Sequence, residues 1–192
     1  MFRSLLVRHQ VLIGLALVIL IAITRSHHFA SMELLPGASW AAFFLAGVYL
    51  RSKWAFFILL VETWMVDFIA YSVGGGSGFC LTPAYAFLLP AYGVLWSAGR
   101  WYSNRIQLQY KTLLPLTVAT VVGTFVCELI SSGSFYFFSG RFAEVSIGEF
   151  GGRLLKYFPS SLESVAFYVV IACSIHIILS LMSHHPIKQY RL

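Results

Sequence analysis

Runs of about 20 apolar residues, separated by short polar stretches, constrain the fold of this chain more than any other feature of its sequence. A helix of that length rises about 30 Å, the thickness of the hydrocarbon core of a bilayer. Only helices and closed barrels satisfy their backbone groups in lipid, and the alternating ten-residue strands of a barrel are not seen. The sequence therefore predicts an all-α membrane protein.

Continuous apolarity marks six candidate spanning segments, which predicts a six-transmembrane-helix bundle. The second is short unless residues 34–37 also enter the membrane. The approximate bounds of the six segments are Leu5–Thr24, Ala38–Leu50, Trp54–Tyr71, Thr82–Ala98, Leu113–Phe138 and Ser160–Met182. A chain of 192 residues has room for one such bundle, so we expect residues 1–192 to form a single integral membrane domain.

The charge content excludes a soluble protein and argues against nucleic-acid binding. Charged residues make up 10% of the chain and hydrophobic residues 59%, whereas soluble domains carry about 25% charged residues. The net charge of +6 comes from Lys and Arg between the apolar runs and near the two ends. Such residues anchor loops at anionic lipid, and there is no basic face interleaved with base-stacking aromatic residues. Membrane lipid is the expected partner.

The Lys and Arg residues also predict the orientation of the bundle. Cytoplasmic loops carry the excess of these residues. If both termini are cytoplasmic, nine of the 13 Lys and Arg residues lie inside and four outside, which fits an even number of spans. The outer four are Arg25, Arg141, Arg153 and Lys156. The rival interpretation of the first segment is a cleaved signal peptide, but no small-x-small cleavage site follows it.

Polar residues gather on the predicted outer side. They include the pair His27 and His28, the glycine-rich stretch 74–78, and the long segment from Ser139 to Phe158. The second pair, His184 and His185, falls on the inner side, about 30 Å of hydrocarbon away. The two histidine pairs therefore cannot share one metal ion.

Cys80 follows the glycine-rich stretch and precedes Thr82 and Pro83. Proline suits the first turn of a helix, where the positive end of the helix dipole favours a thiolate. A thiolate is a soft metal ligand. The alternative role for Cys80 is a small apolar residue at a helix cap. The other two cysteines, Cys127 and Cys173, lie inside apolar helices and are expected to pack as small hydrophobic residues.

Four acidic residues fall within or near predicted spans, where a charge must face a partner or a cavity. Asp67 could bind a polar ligand, or it could pair with Arg25 or Arg153. Glu62 and Glu128 could take part in proton coupling or in structural hydrogen bonds inside the bundle. Glu163 could have either of these two roles.

His28, Tyr85 and Arg153 would form, with Cys80 and Asp67, a polar rim over an apolar cavity, as in small-molecule sites. The aromatic run 135–138 predicts an interfacial belt or the wall of a large planar ligand. The sequence has no P-loop, nucleophile elbow or HExxH motif. It therefore cannot hydrolyse ATP in the P-loop manner.

The stretch from Gly74 to Tyr85, GGGSGFCLTPAY, together with six short spans in under 200 residues, resembles the BtuM family. The resemblance implies an S-component-like fold of the energy-coupling-factor type and cobalamin uptake across a bacterial inner membrane. It implies that Cys80 ligates the cobalt of the transported cobalamin, and that His28, Asp67, Tyr85 and Arg153 line the pocket. No other cofactor is expected.

Helix one lacks the Ala-x-x-x-Ala pattern of S-components that dock a shared energising module, which suits a solitary transporter. No dedicated energising module is expected, although a shared one stays open. Electron donation from the Cys80 thiolate would weaken the bond from cobalt to its upper ligand, so decyanation of cyanocobalamin is a possible accessory activity of Cys80.

Three other functions stay open from the sequence. The first is an S-component for another vitamin, driven by a separate ATP-hydrolysing module. The second is a proton-coupled carrier that uses Glu62 and Glu128. The third is a membrane enzyme with Cys80 as its nucleophile.

Overall fold

The computed structural model describes residues 7–25, 35–73, 82–105 and 110–183. Within these ranges the chain is helical, without strands. The helices are α1 (Val7–Arg25), α2 (Ser39–Tyr49), α3 (Trp54–Val73), α4 (Leu88–Ser103), α5 (Leu113–Phe138) and α6 (Ile147–Ser183), with short 3-10 helices at Pro83–Phe87 and Tyr110–Thr112. The prediction of an all-α protein is confirmed.

Among the described residues, four helices are long and apolar enough to cross a membrane. They are Val7–Arg25, Trp54–Ser72, Leu113–Phe138 and Ile147–Met182. Their outward faces are apolar, as on α1, where Val11, Leu15 and Ile19 are each more than half exposed. A surface of this composition is solvated by lipid rather than by water, so the chain is a membrane protein.

The second and fourth predicted segments form shorter helices. The 11 residues of α2 rise about 16 Å and the 16 residues of α4 about 24 Å, both less than the ~30 Å hydrocarbon core. The 3-10 helix Pro83–Phe87 leads directly into α4 and lengthens that helical segment. Helix α2 is buried along nearly its whole length and forms the centre of the bundle.

Two glycines set the contact between α2 and α4. A Cβ atom on Gly47 would lie 2.1 Å from the carbonyl oxygen of Trp96, and one on Gly99 would lie 2.1 Å from that of Phe44. The two backbones therefore touch, as small residues allow in membrane helix pairs. Phe43 of α2 stacks on Tyr92 of α4 with ring centroids 4.3 Å apart.

Helix α1 packs into this bundle through Leu17, Ile21 and Thr24, all of which are buried. The hydroxyl of Thr24 accepts a hydrogen bond from the backbone N–H of Ala38 at 3.2 Å, which ties the end of α1 to the start of α2. Tyr168 joins α6 to the residues before α2, because its hydroxyl donates to the carbonyl of Pro36 at 2.5 Å.

The prediction for the last helix was wrong at its start. Helix α6 begins at Ile147 rather than Ser160, so most of the predicted outer segment 139–158 is helical. Pro159 lies inside the helix, although proline removes a backbone donor and disfavours a helical residue before it. The predicted start, Ser160, is where continuous apolarity begins. The helix itself begins earlier, in a stretch that carries Glu149, Arg153 and Lys156.

Candidate functional site

An ion pair between Arg25 and Asp67 lies at the centre of the candidate site. Arg25 is the last residue of α1, and Asp67 lies near the end of α3. The guanidinium binds the carboxylate through two parallel hydrogen bonds, Nε to Oδ1 and Nη2 to Oδ2, each of 2.6 Å. This bidentate geometry is the strong form of an Arg–carboxylate pair. Of the two partners that the sequence suggested for Asp67, the structure therefore selects Arg25.

The third nitrogen of Arg25 connects the ion pair to two further helices. Nη1 donates to Ser39 Oγ of α2 at 2.9 Å and to the hydroxyl of Tyr92 of α4 at 3.1 Å. A single guanidinium thus links α1, α2, α3 and α4. All of its hydrogen-bonding nitrogens have partners, as a largely buried charge in a membrane protein requires.

Tyr85 completes this network from the 3-10 helix Pro83–Phe87. Its hydroxyl donates a hydrogen bond to Asp67 Oδ2. Its own position is fixed by the backbone, because its N–H donates to the carbonyl of Thr82 at 2.9 Å. Asp67 and Tyr85, separated by 17 residues in the chain, therefore meet at the same end of the bundle.

A cavity of about 480 Å³ opens beside this network. Its volume lies in the usual range for small-molecule sites. Asp67, Tyr85 and Arg153 all line it, so the structure brings together three of the five residues predicted for the site. Ser131 and Ser132 of α5 also contribute polar groups to its wall.

Aromatic side chains form the opposite wall of the cavity. They come from the end of α5, the connection after it and the start of α6: Phe135, Tyr136, Phe142, Phe150 and Tyr157. The predicted aromatic run is thus divided, since its first two residues line the cavity while Phe137 and Phe138 are exposed. From the segment 139–158 the sequence predicted Arg153 as a pocket residue, but it did not predict the aromatic residues Phe142, Phe150 and Tyr157.

Arg153 lies against the aromatic wall. Its guanidinium carbon is 4.7 Å from the ring centroid of Phe142, 5.7 Å from Tyr136 and 5.8 Å from Tyr157, all within cation–π range. One nitrogen is 4.0 Å from a carboxylate oxygen of Glu149, at the limit of an ion pair. The charge of Arg153 is therefore held mainly by ring faces, which leaves its N–H groups available to a ligand.

Tyr136 positions the start of α6 over the cavity. Its hydroxyl donates to Glu149 Oε2 at 3.0 Å and accepts a hydrogen bond from the backbone N–H of Ser146, also at 3.0 Å. The Ser146 hydroxyl in turn accepts from the backbone N–H of Glu149 at 3.1 Å, as a helix cap does. These contacts fix the end of the connection that carries Phe142.

The two mid-span glutamates have different surroundings. Glu128 of α5 is buried and accepts hydrogen bonds from Ser132 and, at 2.7 Å, from Ser161 of α6. It therefore joins two helices, which agrees with the structural alternative for this residue. Both carboxylate oxygens of Glu62 are shielded from solvent and have no hydrogen-bond partner in the described part of the chain.

Two predicted site residues, His28 and Cys80, lie outside the described residues, as do His27, His184 and His185. Within the ranges that the structure describes, no group of three His, Cys, Asp or Glu side chains is arranged to hold a metal ion. Cys127 is buried and Cys173 is half-buried, and both are free thiols.

Sequence reasoning missed Ser39 and Tyr92, the partners of Arg25 on α2 and α4. Tyr92 carries a hydroxyl within the apolar stretch Leu88–Leu95 of α4, and such a group needs a partner in lipid. That signal was present, but it does not identify the partner. No family model matches the sequence of this chain, and no curated protein matches it either.

Proposed function

We propose that this protein binds a corrinoid, with cobalamin as the expected ligand, and carries it across the inner membrane of a bacterium. The observation that supports the proposal most is the cavity shared by Asp67, Tyr85 and Arg153. Tyr71 and Ala84 also line it, and in the sequence they flank the segment 74–81 that contains Cys80. A large ligand could extend beyond the cavity, which is only partly enclosed.

The chemistry of the cavity suits the parts of a corrinoid. The aromatic wall offers flat apolar surface to a planar macrocycle. The N–H groups of Arg153 can donate to amide oxygens or to the phosphate at the rim of the ligand. Asp67 has accepting capacity beyond its bonds to Arg25 and Tyr85, because an ionised carboxylate offers about four lone-pair sites.

Under this proposal the nucleotide base of cobalamin leaves the lower face of cobalt, the thiolate of Cys80 takes its place there, and His28 joins the rim of the pocket. A thiolate trans to cyanide would weaken the cobalt–carbon bond. Cyanide would then leave as an anion with the bonding electron pair, so cobalt would stay Co(III). Decyanation is thus the expected accessory reaction, with Cys80 as its catalytic residue.

The proposal includes a six-span, S-component-like arrangement with both termini cytoplasmic. The central position of α2 and the continuous helical segment from Pro83 to Ser103 support six spans rather than four. The charge distribution supports the orientation. In this arrangement the cavity faces outward, because Arg25 and Arg153 belong to the predicted outer side.

The visible absorption spectrum of protein purified from cobalamin-fed cells tests the cobalt–sulfur bond. We expect a corrin spectrum for the wild type, altered or lost in Cys80→Ala and unchanged in the matched control Cys173→Ala. Identical spectra in all three proteins would contradict ligation by Cys80. A colourless wild type that also fails to bind added cobalamin would contradict corrinoid binding and favour an S-component for another vitamin.

A proton-coupled carrier is the second candidate function. The observation that favours it is the carboxylate of Glu62, which has no hydrogen-bond partner among the described residues. Carboxyl groups within membrane spans often belong to proton relays. Uptake of the substrate that is abolished both by a protonophore and by Glu62→Gln would support this function. Uptake that is unchanged by either would exclude it.

A further inference from the structure

A second concave surface lies between α4 and α5 on the outside of the bundle. It is a groove of about 660 Å³ that shares no lining residue with the cavity described above. Small residues create it, since glycine, alanine and serine leave the space that larger side chains would fill. They are Gly93, Ser97 and Ala98 on α4, and Ala119 and Gly123 on α5.

The groove runs along α4 from Pro90 to Trp101. These 12 residues are separated by 11 helical steps, which rise about 16 Å. Half of a ~30 Å hydrocarbon core is about 15 Å. The groove is therefore about as long as one leaflet is deep, which is the length that one acyl chain occupies.

A cation lies at the end of the groove where a lipid headgroup would lie. The guanidinium carbon of Arg105 is 3.9 Å from the ring centroid of Trp101, and Trp101 lines the groove. Arg105 Nη1 also donates to the carbonyl of Trp101 at 3.1 Å. These contacts hold the charge over the groove end, and among the described residues no carboxylate pairs with it. Tryptophan and arginine are common at the level of the headgroups.

Further basic residues surround this end of the bundle. Arg100 donates to the backbone carbonyl of Arg51 at 3.0 Å, which brings the end of α2 beside the end of α4. Lys53 and Lys111 belong to the same two connections, and none of the seven acidic residues of the chain falls within residues 50–53 or 104–112. This end is therefore complementary to an anionic partner.

We propose that the groove is a binding site for an anionic phospholipid, with one acyl chain between α4 and α5 and the phosphate at Arg105. A helix from a second copy of this chain in the same orientation fits less well. It would bring an identical basic cluster to the same membrane level, where like charges repel. The proposal is independent of corrinoid transport.

Retention of lipid by delipidated protein, measured by native mass spectrometry, tests this site. The probes are dioleoyl-phosphatidylglycerol and dioleoyl-phosphatidylcholine, which share their chains and differ in charge. We expect the wild type to prefer phosphatidylglycerol about fivefold, the ratio that one basic residue near a membrane surface provides. Arg105→Gln should remove this preference and keep chain binding. The control Lys156→Gln should preserve it.

Gly93→Leu tests the acyl-chain part of the site. No atom lies within 4 Å of a Cβ placed on Gly93, so the larger side chain fills the groove without a clash, and leucine favours the helix. We expect retention of both lipids to fall at least tenfold, whereas the control Ser174→Leu on the exposed face of α6 should retain both. Equal retention of the two lipids by the wild type would overturn the proposal, as would unchanged retention in Gly93→Leu. Dissociation of a wild-type dimer by Gly93→Leu with lipid retention unchanged would assign the groove to self-association instead.

Discussion

At the scale of single residues, the guanidinium of Arg25 organises the end of the bundle that carries the cavity. It bonds to side chains on α2, α3 and α4 at once. Removing the carboxylate of Asp67 would leave this charge without its counter-ion in a setting where it is about one-fifth exposed. The network is therefore expected to stabilise the site as well as to shape it.

Asp67→Asn should destabilise the protein by about 2 kcal/mol, below the 3–5 kcal/mol for a fully buried pair because both partners retain some exposure. Tyr85→Phe, the matched control that removes one hydrogen bond to the same carboxylate, should cost about 1 kcal/mol. Thermal unfolding in detergent measures both. A double variant Arg25→Gln/Asp67→Asn as unstable as the sum of its single variants would show that the two side chains do not interact.

At the scale of helices, apolarity predicted which stretches of the chain are helical better than it predicted where the helices begin and end. The bounds of α5, Leu113–Phe138, agree with the prediction, because both ends coincide with a change in polarity. The start of α6 does not, since its first turns are polar and Pro159 suggests a break that does not occur. A helix that continues past the hydrocarbon core leaves no signal in hydropathy.

The candidate site was predictable only in part for a related reason. Chain order and topology place Asp67 and Tyr85 at the same end of the bundle. The partners Ser39 and Tyr92 depend on how each helix is rotated about its axis, which is decided by packing. The close approach of Gly47 to the backbone of α4, and of Gly99 to the backbone of α2, fixes the separation of the two helices. The positions of these glycines in the sequence do not show that they face the other helix.

Gly99→Ala should lower stability by about 3 kcal/mol or prevent folding, because its Cβ would overlap the backbone of α2 and both helices would have to separate. Gly93→Ala in the same helix is the control. Its Cβ meets nothing within 4 Å, so we expect a gain of about 0.5–1 kcal/mol from helix propensity. Thermal unfolding distinguishes the two, and a neutral Gly99→Ala would contradict the backbone contact.

At the scale of the whole molecule, the account depends on which side of the membrane the cavity faces. The connection between α5 and α6 is predicted to lie outside, and the connection between α2 and α3 inside. Both contain exposed charged residues, Glu144 and Lys53, that can be exchanged for cysteine with little effect on packing.

In a chain without its native cysteines, a membrane-impermeant thiol reagent should label Glu144→Cys in intact cells but label Lys53→Cys only after the membrane is opened. The reverse pattern would turn the cavity toward the cytoplasm. Such a result would contradict uptake from the outer side while leaving ligand binding intact.

The most direct test of the central claim is a corrinoid titration of a variant in which the cavity is filled. Ser131 lines the cavity and takes no part in the bonds of Arg25, so Ser131→Trp should block the ligand and leave the ion pair in place. Ser174→Trp on the exposed face of α6 is the control. We predict that the wild type and the control bind cobalamin and that Ser131→Trp binds it at least tenfold more weakly. Equal affinity in all three proteins, or a wild type that binds no corrinoid, would contradict the account.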